Sequence, residues 1–477
     1  MTITIVGLGP GNPDQITLEA WRTLERATTV LLWSEQHIPV AALPAGPRYR
    51  LLEAEIEASD DWVAAVAAAV LRHEEVVFAV PGSPSVLDDV VAVIRREARE
   101  RDREVRLVPG MSFLEPVMAR LQLEGEQGLQ LCSAPAVAAM HHPPLQPDVP
   151  ALLPALDSQA VAKRVQAVLL NQYPPDHEVT LVHAAGTDRE TVESLPLAKL
   201  AQSEAIGATT TLYVPPLALP YASFERLQET MAHLRSPEGC PWDREQDHMT
   251  LRPYLLEEAY EVLDALDRGD LQALQEELGD LLLQVVFHVQ VAVDQGEFRM
   301  ADVIHHINAK LIHRHPHVWG DVNVNDSGDV ARNWEAIKKQ ERKDNGKGKE
   351  SLLDGVSKAL PALAQAYNYQ VRAARVGFDW DRIEPVIDKI REEIDEIQAA
   401  ADPEERQKEI GDLLFALVNW TRWMGVEPET ALREANQRFY RRFHYIERAA
   451  EQAGRSLAEM TLAEMDTLWD EAKRQGL

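Results

Sequence analysis

Glu258 and Glu261 stand three residues apart, Glu277 and Asp280 follow at the same spacing, and the quartet returns as Glu393, Glu396, Glu409 and Asp412. Residues three apart lie on one side of a helix, so each quartet would bring carboxylates from two helices to face one another. Oxygen donors in that number suit a hard cation, Mg²⁺ or Mn²⁺. A lone EExxE in so acidic a chain reads equally well as a solvated face. The repetition weighs against that reading, because a solvated face needs no registration. Both ExxD pairs also stand at the head of apolar runs, Leu281 to Val293 and Leu413 to Val418, where an ionised carboxylate is costly unless it is paired or binds a metal.

Each quartet is followed by cations, Lys310, Arg314 and Lys338 in the first copy and Arg438, Arg442 and Lys473 in the second, with Trp334, Asn436 and Trp469 among them. A divalent metal with Lys and Arg is the chemistry of a polyphosphate. Taken singly, such cations are more often surface charges and such tryptophans more often core. His313, His315 and His317 surround Pro316, which breaks the turn, and read as a structural loop rather than a zinc cluster.

These residues need elements to hold them. Leu255, Ala259, Val262, Leu263 and Leu266 mark one face of an amphipathic helix, with Glu258 at its border. The repeat extends beyond the carboxylates: Trp242-Asp243 is answered by Trp380-Asp381, and Asn308 to Arg314 by Asn436 to Arg442. A helical unit is duplicated, with Lys343 to Glu350 as a solvated linker between the copies. Before residue 222 the chain differs, holding 21 of the 29 prolines. There β-branched runs (Ile3 to Val6, Val76 to Val80, Val105 to Val108, Val179 to Val182, Thr209 to Val214) alternate with helical stretches, an α/β pattern. Pro215 to Pro220 is the stiff joint.

In this first part, Gly7-Leu8-Gly9-Pro10-Gly11 follows a strand and precedes a helix, as a turn that lets a ligand approach the backbone would. Asn12 stands where a GxGxxG pattern needs glycine, which disfavours a dinucleotide fold. Pro81-Gly82-Ser83 and Pro109-Gly110-Met111-Ser112 each follow a β run, so three loops would line one edge of a parallel sheet.

The length of 477 residues suggests about three folding units. With 48 basic against 77 acidic residues and a net charge of -29, direct nucleic-acid binding is not expected. Two cysteines, Cys132 and Cys240, cannot form a disulfide framework. The amino terminus lacks signal-peptide features, and the longest apolar run is too short and too interrupted to span a bilayer. A soluble, cytoplasmic protein is expected.

The doubled EExxE, ExxD and NxKxxxR or NxRxxxR pattern, opened by Gly239-Cys-Pro-Trp-Asp243 and Gly377-Phe-Asp-Trp-Asp381, resembles the MazG family of all-α nucleoside triphosphate pyrophosphohydrolases. The resemblance implies hydrolysis to nucleoside monophosphate and pyrophosphate, metal ligation by all eight carboxylates, triphosphate or base contacts from Lys310, Arg314, Trp334, Lys338, Asn436, Arg438, Arg442, Trp469 and Lys473, and a homodimer. Catalysis is assigned to the second quartet, because Arg438 and Arg442 present planar forks where the first copy has Lys310 and Arg314. The segment Ala366 to Gln370 lacks lysines common in the family. The glycine loops, with Val182 to Thr187 and Thr209 to Pro216, resemble the tetrapyrrole methylases, which implies S-adenosylmethionine against Gly7, Gly9, Pro10, Gly11, Pro81, Gly82, Ser83 and Ser112. Ser83 stands where those methylases usually have Asp, and Phe113 where a second Ser is common.

The expectation is therefore a multidomain chain of the YabN type. It comprises a two-lobed α/β methylase-like domain (1–220) and two all-α MazG domains (223–342 and 351–477). Two other readings are a methyltransferase with a regulatory or dimerising helical half, and a non-catalytic scaffold.

Overall fold

The computed structural model describes residues 2–33, 37–53, 61–86, 89–124, 128–204, 206–219, 221–344 and 351–477. Most of the expected linker, 345–350, and Pro220 of the expected joint lie outside them. The chain forms two compact units, Met1–Asp247 and His248–Leu477. No helix among the described residues is long and apolar enough to cross a membrane.

The first unit holds two sheets. Strands β1 (Thr2–Gly7), β2 (Thr29–Leu32), β3 (Arg48–Leu51), β4 (Val76–Val80) and β5 (Glu104–Val108) form a parallel sheet in the order β3-β2-β4-β1-β5. Helices α1 (Leu18–Glu25), α2 (Trp62–Leu71) and α3 (Asp89–Glu100) connect them. Parallel sheets are covered on both faces, and side chains alternate across the pleat. Accordingly Ile3, Ile5, Leu31 and Phe78 enter one buried cluster while Val6, Val30, Leu32 and Ala79 enter another. A continuous apolar run such as Ile3 to Val6 is what this arrangement demands.

After α4 (Leu114–Leu121) comes a mixed sheet of β6 (Gln130–Leu131), β7 (Ala151–Leu153), β8 (Glu178–His183), β9 (Thr191–Pro196) and β10 (Thr210–Val214), ordered β6-β7-β10-β8-β9. It packs with α5 (Ala134–Ala138) and α6 (Gln159–Leu169) around a buried core that includes Leu153, Val165, Leu181 and Leu212. Two further helices, α7 (Phe224–Arg235) and α8 (Pro241–Glu245), close the unit. Composition changes at residue 222, yet compactness divides the chain at Asp247. The Ser223 hydroxyl caps α7 and also donates to Asp148 at 2.8 Å, a tie between this helix and the preceding sheet region.

The second unit is helical: α9 (Arg252–Arg268), α10 (Leu271–Gln295), α11 (Met300–Arg314), α12 (Pro316–Trp319), α13 (Ser327–Asp344), α14 (Ala362–Ala374), α15 (Glu384–Ala399), α16 (Pro403–Trp423), α17 (Pro428–Gln452) and α18 (Leu462–Arg474). Two tight hairpins dominate it. Gly269, left-handed at φ 64°, ends α9, and Asp270 starts α10 by accepting from the amides of Gln272 and Ala273. Asp402 does the same for α16 with Pro403 in its first turn. Between the copies, Arg433 of α17 donates to Asp267 of α9 at 2.5 Å, and Gln437 to Asp264 at 3.2 Å.

Candidate functional site

The hairpins carry out the convergence that the spacing implied, for three carboxylates of each four. Carboxylate oxygens of Glu258 and Glu261 on α9 and Glu277 on α10 lie within 4.8 Å of one another, as do those of Glu393, Glu396 and Glu409 on α15 and α16. Asp280 and Asp412 fall outside these clusters, each three residues further along its helix. Asp280 still acts through its charge: desolvation, then Asp280, push Glu258 above the usual carboxylate range. Glu277 is raised by desolvation and then Glu261, and Glu396 by desolvation and then Glu393. Both clusters thus resist holding all their negative charge.

The donor set fits a hard cation. Glu393 is only 3% exposed, and its Oε2 is buried without a hydrogen-bond partner, a state that is costly unless a cation completes it. Its Oε1 sits 2.8 Å from Lys389 Nζ, which also reaches Glu392 at 2.8 Å. Sequence reasoning passed over Lys389. The signal was present, since a lysine four residues before a glutamate on one helix faces it.

Of the cations expected to meet the triphosphate, Arg314, Lys338 and Arg442 lie against the two tryptophans. Arg314 grips Glu341 with Nη2 at 2.6 Å and Nε at 3.2 Å to each carboxylate oxygen. Its guanidinium lies 5.6 Å and Lys338 Nζ 5.4 Å from the Trp334 ring centre. Hydrogen bonding from Arg314 holds the Glu341 carboxyl below its ordinary range, and the Lys310 charge adds to this. In the second copy Arg442 lies 5.4 Å from the Trp469 ring centre, and its Nε donates to a main-chain oxygen of Leu477, the last residue, at 2.6 Å. Lys473 pairs with Asp470 and Arg438 with Glu434. Asn436 lines an open groove of about 550 Å³ together with Asp264, Arg433 and Phe439. His315 Nδ1 bonds the Leu311 carbonyl at 2.6 Å, and its ring meets Trp334 edge-on, a structural setting for this histidine. Gln370, in the segment without lysines, is buried and donates to the Phe415 carbonyl at 2.8 Å.

In the first unit the glycine loops cross at the carboxyl end of the parallel sheet. Gly9 and Gly82 exchange backbone hydrogen bonds at 3.1 and 2.8 Å. A Cβ on Gly7 would lie 2.5 Å from the Gly82 oxygen and 2.6 Å from the Gly110 nitrogen, so β1, β4 and β5 deliver their loops to one point. Gly9, Gly11 and Gly82 have φ of 80°, 125° and 64°, a region costly to residues with a Cβ. Pro10 and Pro81 stand within these turns. Ser83 and Ser112 are buried, and Ser112 Oγ bonds Glu115 and accepts from the Leu114 amide. Sequence reasoning missed His37, whose Nε2 lies 2.7 Å from the Gly9 carbonyl and whose pKa burial lowers, and Gln15, whose Oε1 is buried without a partner.

Residues 2–201 match the family model for tetrapyrrole (corrin/porphyrin) methylases, and residues 246–319 that for the MazG nucleotide pyrophosphohydrolase domain. Residues 369–439 match the phosphoribosyl-ATP pyrophosphohydrolase model, so the second copy is drawn to a different description from the first. The nucleoside triphosphate pyrophosphohydrolase/pyrophosphatase MazG of Thermotoga maritima is 47% identical over 250 residues, covering 52% of this chain and 95% of its own. The chain belongs to the MazG family. Its MazG half is likewise 46% identical to the nucleoside triphosphate pyrophosphohydrolase of Escherichia coli K12, which is covered to 97%. The methylase-like half is part of the relationship too. The uncharacterised protein YabN of Bacillus subtilis is 38% identical over 490 residues, spanning 99% of this chain and 98% of YabN. A solved uroporphyrin-III C-methyltransferase from Thermus thermophilus, complexed with S-adenyl homocysteine, aligns with 45% of this chain and 97% of its own at 19% identity and a TM-score of 0.35.

Proposed function

We propose that the chain hydrolyses nucleoside triphosphates to nucleoside monophosphate and pyrophosphate at its carboxylate centres, with Mg²⁺ or Mn²⁺. The observation that carries this is the twofold convergence of three carboxylates on a helix hairpin, with a buried, unpartnered oxygen on Glu393. A bound divalent ion would supply charge neutralisation and an activated water. Glu258, Glu261, Glu277 and Asp280 would hold it in the first copy, and Glu393, Glu396, Glu409 and Asp412 in the second. Lys310, Arg314, Trp334 and Lys338, and Asn436, Arg438, Arg442, Trp469 and Lys473, would receive the triphosphate and base. Arg314 would have to exchange Glu341 for phosphate, and the planar forks of Arg438 and Arg442 are the reason for favouring the second copy as the catalytic one. The names of the Thermotoga and Escherichia relatives support the same substrate class.

The domains at 1–220, 223–342 and 351–477, the cytoplasmic location and the homodimer belong to this proposal. Both cysteines are free, as a reducing compartment would leave them. Leu278, Leu282, Ile307 and Leu311 are each at least 40% exposed along α10 and α11, although Leu278 and Leu282 belong to an apolar helix. A second copy of the chain would cover them. In the first unit, S-adenosylmethionine would lie against the crossed glycine loops. That geometry is what favours the second reading, a methyltransferase with a regulatory helical half.

The test is pyrophosphate release from a panel of nucleoside triphosphates by the full chain, with Mg²⁺ or chelator, for wild type, Glu261→Gln, Glu396→Gln and the double variant, each checked for helicity. Activity lost in Glu396→Gln alone supports the second centre, and equal partial losses mean two working sites. A chelator-insensitive or fully active double variant would sink the mechanism and leave the scaffold reading.

A further inference from the structure

The two carboxylate centres are not chemically alike. Four residues before Glu393 stands Lys389, whose ammonium contacts both Glu392 and Glu393 at 2.8 Å. Four residues before Glu258, at the matching place in the first copy, stands Tyr254, which brings no cation. The charge of Arg268 does reach Glu277, but that guanidinium is engaged by Asp264 at 2.9 Å. Lys408 approaches Glu409 at 3.6 Å from a largely exposed position. The second centre is therefore partly neutralised by its own chain. One oxygen of Glu393 is bonded to an ammonium and the other is buried without a partner.

We infer that Lys389 is a built-in counter-ion of the second centre and makes it bind divalent cations less tightly than the first. The inference rests on the reading that both clusters hold such a cation. A metal ion entering the second centre must share Glu393 with an ammonium or displace it onto Glu392, and the like charges repel. Because Lys389 is 38% exposed, solvent screens much of this, and a difference of roughly tenfold in affinity is expected. The arrangement also relieves repulsion within the second cluster when no metal is bound.

The experiment is Mn²⁺ binding to the full chain, read from the electron paramagnetic resonance signal of the free ion. Glu261→Gln weakens the first centre and leaves the second intact; Glu396→Gln does the reverse. In the Glu261→Gln background, Lys389→Met should tighten Mn²⁺ binding roughly tenfold. In the Glu396→Gln background, Tyr254→Lys should weaken it, which gives a second route to the answer if Lys389→Met fails to fold. Lys389→Arg should keep the wild-type affinity. Unchanged or weaker Mn²⁺ binding in Lys389→Met, or no effect of Tyr254→Lys, overturns the inference. Absence of Mn²⁺ binding in the wild-type chain overturns instead the reading on which it rests.

Discussion

Replacing Gly7 with Ala tests whether the crossing of the glycine loops is as tight as the backbone geometry requires. The added Cβ would lie 2.5 Å from the Gly82 oxygen, 2.6 Å from the Gly110 nitrogen and 2.8 Å from the Gly110 Cα. Non-bonded carbon settles at about 3.5 Å, so these neighbours must retreat by roughly 1 Å. They are backbone atoms, held by Leu8 to Val80 at 2.9 Å and by the paired bonds between Gly9 and Gly82, and cannot swing aside as a side chain would. Forced overpacking of this kind costs about 1 to 3 kcal/mol, and each kcal/mol lowers the melting temperature of a unit this size by roughly 2 to 4 °C. The displaced loops are those proposed to receive S-adenosylmethionine, so a tenfold or greater loss of affinity, about 1.4 kcal/mol, should accompany the instability. Gly207→Ala is the control, since its Cβ meets nothing within 4 Å. Thermal unfolding followed by circular dichroism, and calorimetric titration with S-adenosylhomocysteine, read both effects on the full chain. A Gly7→Ala protein that melts with wild type refutes the packing argument. One that melts early yet binds like wild type refutes the link between this crossing and the ligand.

Saturating Mg²⁺ or Mn²⁺ at fixed ionic strength should raise the melting temperature of the helical unit, because an ion that binds only the folded cluster stabilises it; an unchanged transition speaks against the cage. Glu258, Glu277 and Glu396 have folded pKa values raised above 4.5, so the folded state retains protons that the unfolded state has released. Their contribution is present below that value and lost as pH climbs through the raised values. In chelator, Glu277→Gln should gain urea resistance over wild type as pH rises through this window, and a pH-independent difference between the two would contradict the shift. Arg433→Ala should cost about 2 kcal/mol, because it strands Asp267, 12% exposed, without its charged donor. A double-mutant cycle with Asp267→Asn that shows no coupling would refute that.

Periodicity and residue type made much of this protein legible before any coordinates. The i, i+3 spacing of Glu258 with Glu261 and of Glu393 with Glu396 follows from helical geometry alone. The runs Ile3 to Val6 and Val76 to Val80 could be read as strands because a parallel sheet buries both faces. Strands β2 and β3 were not legible: Thr29–Leu32 is a short run close behind α1, and Arg48–Leu51 is an edge strand whose exposed arginines dilute its pattern. The apolar face assigned to α9 also reads differently in the fold, since Leu255 and Leu266 are 38% and 53% exposed; amphipathicity marks a face that wants a partner, not which chain supplies it. Sequence spacing determined which carboxylates could meet. Tertiary structure decided that three of each four come within 4.8 Å of one another, while Asp280 acts on Glu258 through its charge. It decided too that Arg314 belongs to Glu341 and Arg433 to Asp267. Such pairings depend on the distance between helices remote in the chain, and local periodicity carries no information about that distance.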